Sequence, residues 1–258
     1  MVFLRSEKSV QIFLQNVRHN GTIGVAVKSF HAVFQLQPER VAALRDCLEL
    51  LHNLEDLQLI LPHLTLSRWR RLLDGIQFHR LDLLQTNAPH AVIAEFLVYH
   101  PGIAHLSIEA CGPTKGPCPL DGRRLPTLCN VSGPVSCVMH LVSNNPVSRV
   151  TTCQFPPDDP IPICALMPSL LKSVTNLTVL QLEISPTDFD ALECLARGVP
   201  TLTALKLTEL HTPDLVVRHS SLWLDVRLST SCHRFLLAKG GLGKMQKDGV
   251  RHCTVFLI

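Results

Sequence analysis

Aromatic residues are scarce in this sequence: Phe, Trp and Tyr make up 5% of 258 residues, and there is a single Tyr. Charge is also low, at 17%, where a typical domain carries roughly 25%. With 46% hydrophobic residues and a net charge of only +3, the composition excludes a disordered or polyelectrolyte chain. Long apolar runs are missing too. Mean hydropathy is +0.22, yet every Leu-rich stretch is broken by charge well short of the roughly 20 apolar residues a membrane span needs. The opening, Met1-Val2-Phe3-Leu4-Arg5-Ser6-Glu7-Lys8, lacks the basic start, apolar core and small-residue cleavage site of a signal peptide. These absences predict a soluble cytoplasmic or nuclear protein that is not secreted, whose ten Cys are reduced and mostly buried.

Chemistry-bearing patterns are equally sparse. No two Cys have the two-residue spacing of a zinc knuckle, the nearest pairs being Cys111 with Cys118 and Cys129 with Cys137. His100 and His105 are five apart and do not share a helix face. Gly240-Gly241-Leu242-Gly243-Lys244 has Ala238 and Met245 where a phosphate-binding loop needs Gly and Ser or Thr. Asp158-Asp159 falls in a Pro-rich loop, and Asp188 with Asp190 in the first turn of a helix; neither pair calls for an acid/base role. Trp69 between Arg68, Arg70 and Arg71 is the one basic aromatic cluster, and the neighbouring segments lack the basic stripe a nucleic-acid surface needs. The expectation is a protein without catalytic residues, metal or cofactor, and without a nucleic-acid or membrane partner.

What the sequence does have is leucine, 44 residues of it. Much of it falls in one phrase, Leu-x-x-Leu-x-Leu, clearest at Leu54–Leu59, Leu177–Leu182 and Leu202–Leu207, and looser at Phe78–Leu83, Ile103–Ile108 and Val147–Thr152. The middle apolar residues, Leu57, Leu81, Leu106, Val150, Leu180 and Leu205, step by 24, 25, 44, 30 and 25, and a weak copy at Leu125–Leu128 falls inside the long step. A period of roughly 20 to 29 residues is that of leucine-rich repeats. Within a phrase the alternation suits a short strand. Between phrases the spacing turns helical: Val41, Leu44, Leu48 and Leu51, then Leu66, Trp69, Leu72 and Leu73, then Val92, Phe96 and Leu97. Pro38, Pro89, Gly133-Pro134 and Ser185-Pro186 mark helix starts.

The predicted fold is therefore α/β: a leucine-rich-repeat solenoid, or horseshoe, with an inner parallel sheet and outer helices over residues 1–210. A degenerate repeat or cap is expected over 211–230 and an irregular basic tail over 231–258. That tail carries Arg234, Lys239, Lys244, Lys247 and Arg251 against Asp248 alone, so the net positive charge belongs to it and not to the repeats. Side chains that alternate away from the core should form the concave face, the candidate binding surface: Asp56 and Gln58; Arg80 and Asp82; His105, Ser107 and Glu109; Arg149; Gln181 and Glu183; and Lys206. Their mixed charge suits a protein partner better than a polyanion.

Leu54–Pro62, Leu125–Pro134 and Asn145–Val150 together resemble the leucine-rich region of the large fungal F-box protein families, over roughly residues 9 to 210. The resemblance implies repeats that hold a protein substrate for a cullin-type ubiquitin ligase of the SCF class. The helical F-box that would dock on the ligase adaptor opens with Leu-Pro, and the only such pairs, Leu61-Pro62 and Leu125-Pro126, lie within or beside repeat strands. An adaptor is thus an expected partner only with an F-box upstream. The alternative expectation is a standalone inhibitor or scaffold of repeats, unconnected with ubiquitination; an enzyme would require one Cys far more reactive than the rest.

Overall fold

A computed structural model describes residues 1–109, 118–152, 163–184, 191–209 and 251–256. Short strands alternate with helices along the chain. The strands are β1 (Val2–Leu4), β2 (Ser29–Val33), β3 (Asp56–Ile60), β4 (Leu83–Thr86), β5 (His105–Ile108), β6 (Asn130–Gly133), β7 (Arg149–Thr152), β8 (Val179–Ile184), β9 (Ala204–Glu209) and β10 (Arg251–Phe256). They form one sheet in chain order, parallel from β1 to β9, with β10 antiparallel to β9. The helices are α1 (Glu7–His19), α2 (Gly21–Ala26), α3 (Val41–Glu49), α4 (Leu66–Leu73), α5 (His90–Tyr99), α6 (Val135–Val142), α7 (Ile163–Leu170) and α8 (Ala191–Gly198). Pro38–Arg40 is a 3-10 turn leading into α3, and Pro89 and Pro134 cap α5 and α6. The expected helix start at Ser185-Pro186 lies outside the described residues.

The order of the strands follows from what each unit buries. In β3, Leu57 and Leu59 are wholly buried while Asp56, Gln58 and Ile60 are half-exposed, because successive strand side chains point to opposite faces. Three such aliphatics contribute about 1.5 to 3 kcal/mol each, far short of the order of 1.5 kcal/mol per residue needed to order some 25 residues. A unit alone does not fold; stacked on its neighbours it adds to one core that runs from Leu4 to Leu207. Helix packs on the next helix, α3 on α4 and α7 on α8 among others, so the buried face of the sheet has its own cover. Gly24 in α2 permits one of these contacts: a Cβ there would sit 2.5 Å from the Leu50 carbonyl oxygen.

A repeated hydrogen bond locks the units in register. Immediately before each strand from β2 to β8 one carbonyl accepts two consecutive N–H groups of the following unit. Lys28 O accepts from Glu55 and Asp56, Glu55 O from Asp82 and Leu83, and Asp82 O from Ala104 and His105. The series continues through Ala104, Cys129, Ser148 and Thr178. These residues are therefore structurally equivalent, which corrects the sequence reading in one unit. The phrase there is Leu81-x-x-Leu84-x-Thr86, three residues later than Phe78–Leu83. With that shift Leu84 is the buried centre of the unit, and Leu83 lies beside Asp56 and His105. The unit hidden in the long step is Leu128-x-x-Val131-x-Gly133, its strand being β6. Two strands, β1 and β2, precede the first phrase recognised. Of the segment expected to be an irregular tail, Arg251–Phe256 is strand; the expected cap over 211–230 lies outside the described residues.

Cysteine departs from expectation as well. Cys164 in α7 and Cys194 in α8 form a disulfide with Cα atoms 6.0 Å apart, because neighbouring helices place residues one unit apart side by side. Cys47 is a buried thiol whose pKa burial pushes up to about 12, with Asp46 adding to the rise and Arg18 opposing it. No helix among the described residues is long and apolar enough to cross a membrane.

Candidate functional site

The sheet face away from the core is a set of residue rows running across the strands. In the middle row Phe3, His31, Gln58, Gln85, Ser107, Ser132, Thr151, Gln181 and Lys206 stand side by side, one from each of β1 to β9. The row beside it holds Ser29, Asp56, Leu83, His105, Asn130, Arg149, Val179 and Ala204. The structure thus puts Asp56, Gln58, His105, Ser107, Arg149, Gln181 and Lys206 on one surface, as the alternation predicts, half-buried except for the exposed Arg149. Glu109, just past β5, is half-buried and accepts a hydrogen bond from Gln85 Nε2 at 3.0 Å; Glu183 is in β8.

Arg80 and Asp82 do not belong to these rows. With the phrase shifted by three residues, Arg80 is an exposed turn residue, and Asp82 sits just before β4, equivalent to Glu55. Asp82 still reaches the edge of the surface, its Oδ2 lying 3.8 Å from His105 Nε2. Gln85 and Leu83 take the places assigned to those two residues. Asn130 and Ser132, missed with their strand, fill the gap between His105 and Arg149.

The N-terminal end of the surface is the most structured part. Ser29 Oγ donates to Asp56 Oδ2 at 2.8 Å and lies 2.9 Å from His31 Nε2, which is itself 3.0 Å from the same carboxylate oxygen. The Phe3 ring contacts His31, and the Arg5 guanidinium lies over the Phe3 ring, 4.8 Å from its centroid. Ser, His and Asp together suggest nucleophilic catalysis, but the geometry does not support it. A triad needs the hydroxyl and the carboxylate on opposite ring nitrogens, so that the imidazole relays a proton between them. Here both meet Nε2, and the hydroxyl proton is already engaged by the carboxylate. The cluster is a fixed polar platform with an exposed aromatic beside it. Sequence reasoning missed Ser29 and His31 because their phrase, Val27-x-x-Phe30-x-Ala32, contains no leucine.

The chemistry of the middle row is distinctive. From Gln58 to Gln181 it is amides and hydroxyls without a formal charge, each able to donate and accept. Such a strip can exchange hydrogen bonds with neutral polar groups such as backbone amides. Elsewhere, a cleft between α4 and α5, bordered by Arg70, Asp74, Glu95 and Tyr99, holds about 20 Å³, room for roughly one water. Arg70 there is spent on an ion pair with Glu95 at 2.7 Å, while Trp69 is buried.

A second group of chemically active side chains lies on the buried side. His90, the first residue of α5, has its Nδ1 3.2 Å from Cys118 Sγ and its Nε2 3.4 Å from Cys137 Sγ. No set of three or more His, Cys, Asp or Glu among the described residues is arranged to hold a metal ion. No protein-family model matches the sequence, and no curated protein is significantly similar to it.

Proposed function

We propose that this chain is a leucine-rich-repeat solenoid that binds a protein partner along the open face of its sheet, without catalysing a reaction. The observation that carries this reading is the in-register strip from Phe3 to Lys206, one side chain per strand. Successive strands lie about 4.8 Å apart, so nine of them set out a contact line of roughly 40 Å, enough for a protein surface or an extended segment. The Phe3, His31 and Asp56 platform at one end and Lys206 at the other give the line a direction.

The resemblance to F-box repeat proteins extends the proposal. The bound protein would be the substrate of an SCF-type ubiquitin ligase, with the adaptor recruited by an F-box upstream of these repeats. On that reading the protein works in the cytoplasm or nucleus, where the Cys164–Cys194 pair would be reduced. Affinity purification of the native protein tests the ligase part: adaptor and cullin should be recovered with the partner, and the partner's ubiquitination should fall when the gene is deleted. Recovery of a stoichiometric partner with no adaptor and unchanged ubiquitination would reject the ligase role and identify a standalone inhibitor or scaffold.

A further inference from the structure

We propose that Cys118 is a nucleophilic modification site, activated by His90, that takes small soft electrophiles. The observation is the line of three groups Cys118 Sγ, His90 and Cys137 Sγ, with the two sulfurs on opposite nitrogens of one ring. A neutral imidazole has one donor and one acceptor nitrogen, so one thiol donates to the ring and the other accepts from it. Burial decides which. Cys137, in the first turn of α6, is 1% exposed, and an apolar setting disfavours its charged form. Cys118 is the less buried of the two, so charge on its sulfur is less disfavoured. Cys118 is therefore the donor, to Nδ1, and His90 Nε2–H is held by the Cys137 sulfur.

This arrangement differs from an ordinary core histidine in having a proton route. When Cys118 reacts, its proton passes to His90 Nδ1, and the imidazolium remains beside the sulfur it has just deprotonated and the second sulfur at Nε2. Toward iodoacetamide the Cys118 sulfur lone pair forms the new S–C bond, the C–I bond breaks and iodide leaves. Thiols hydrogen-bonded to His form thiolate far more readily than isolated ones. The structure supplies its own comparison: Cys129 is also partly exposed, but its Sγ donates to the Ala104 carbonyl and meets no base.

Alkylation of the native full-length protein at pH 7 with iodoacetamide, followed by peptide mass spectrometry, tests the proposal. Cys118 should be labelled about tenfold faster than Cys129. His90→Gln should bring Cys118 to within about twofold of Cys129, whereas Cys137→Ser, which keeps an acceptor for Nε2–H, should leave it within about threefold of the wild-type rate. Cys47, fully buried, reports the fold in each variant, because it is labelled only when the chain opens. If His90→Gln does not fold, the Cys118 to Cys129 ratio in the wild type and in Cys137→Ser decides. Equal rates in the wild type, or fast labelling that survives in folded His90→Gln, would overturn the assignment.

Discussion

Acid should weaken this protein through one histidine. His100, at the C-terminal end of α5, is 3% exposed, with its ring stacked on Phe96 at 3.9 Å between centroids. The Phe78 N–H donates to Nε2 at 2.9 Å, and Nδ1 lies 2.8 Å from the Phe96 carbonyl. Both contacts are satisfied only by the neutral ring protonated on Nδ1. A proton on Nε2 would meet the Phe78 N–H head-on. Burial lowers the His100 pKa below its ordinary 6.5; the Phe96 carbonyl opposes this, and nearby His79 adds to the lowering. The sign follows from linkage. As pH falls, the unfolded chain takes up a proton at this residue before the folded one does. The stability contributed by neutral His100 is complete above about pH 6.5 and is lost as pH drops toward the folded value, at no more than about 1.4 kcal/mol per pH unit.

The test is a difference measurement. His100→Gln removes the titrating ring and its stack, and should cost about 2 kcal/mol at pH 7.5. Urea unfolding of both proteins, followed by fluorescence of the buried Trp69, gives the gap between them from pH 7.5 to 5.0. The gap should close by up to about 2 kcal/mol over the lower part of that range. His31, His105 and His140, each beside an Asp, are common to both proteins and cancel in the difference. A gap that stays constant, or widens in acid, would refute the argument.

Two further perturbations address the packing of units. Cys164→Ala opens a cross-link spanning 30 residues, and loop entropy puts its cost near 3.5 kcal/mol; unfolding with and without dithiothreitol should show that difference only in the oxidised protein, and equal stabilities in both would contradict it. Gly24→Ala should cost about 1 to 3 kcal/mol, because the added methyl meets a backbone carbonyl that cannot rotate away; an unchanged denaturation midpoint would show that α2 shifts freely.

Much of the fold was legible because leucine is a strong signal wherever it occupies all three phrase positions. At β3, β8 and β9 the residues Leu57, Leu180 and Leu205 name the buried centre, and their alternating neighbours name the open face. Legibility failed where other residues do the same work. Thr86 is buried in a leucine's place, and its hydroxyl accepts from the Ala88 N–H, so the phrase three residues earlier, with apolar Phe78 and Leu83, matched the pattern equally well. Gly133 and Ala32 hid β6 and β2 for the same reason, being small where the pattern expects bulk. At the candidate site, Gln58, Ser107, Gln181 and Lys206 could be read from alternation, Gln85 and Ser132 were lost with their misplaced phrases, and the Ser29, His31 and Asp56 cluster could not be read. It joins side chains 25 and 27 residues apart, across a strand pair whose register only the carbonyl at Lys28 reveals. The line of Cys118, His90 and Cys137 was equally hidden, since ten Cys and 13 His offer many pairings and spacing alone selects none of them.

The central claim is that partners meet the middle row of the open face, and charging that row tests it most directly. Gln58→Arg, Gln85→Arg and Gln181→Arg, made together, place three like charges on half-exposed positions without touching the core. Quantitative purification should then lose the partner that the wild-type protein recovers at stoichiometric yield, with the denaturation midpoint unchanged. Full recovery of that partner by the folded triple variant would contradict the account.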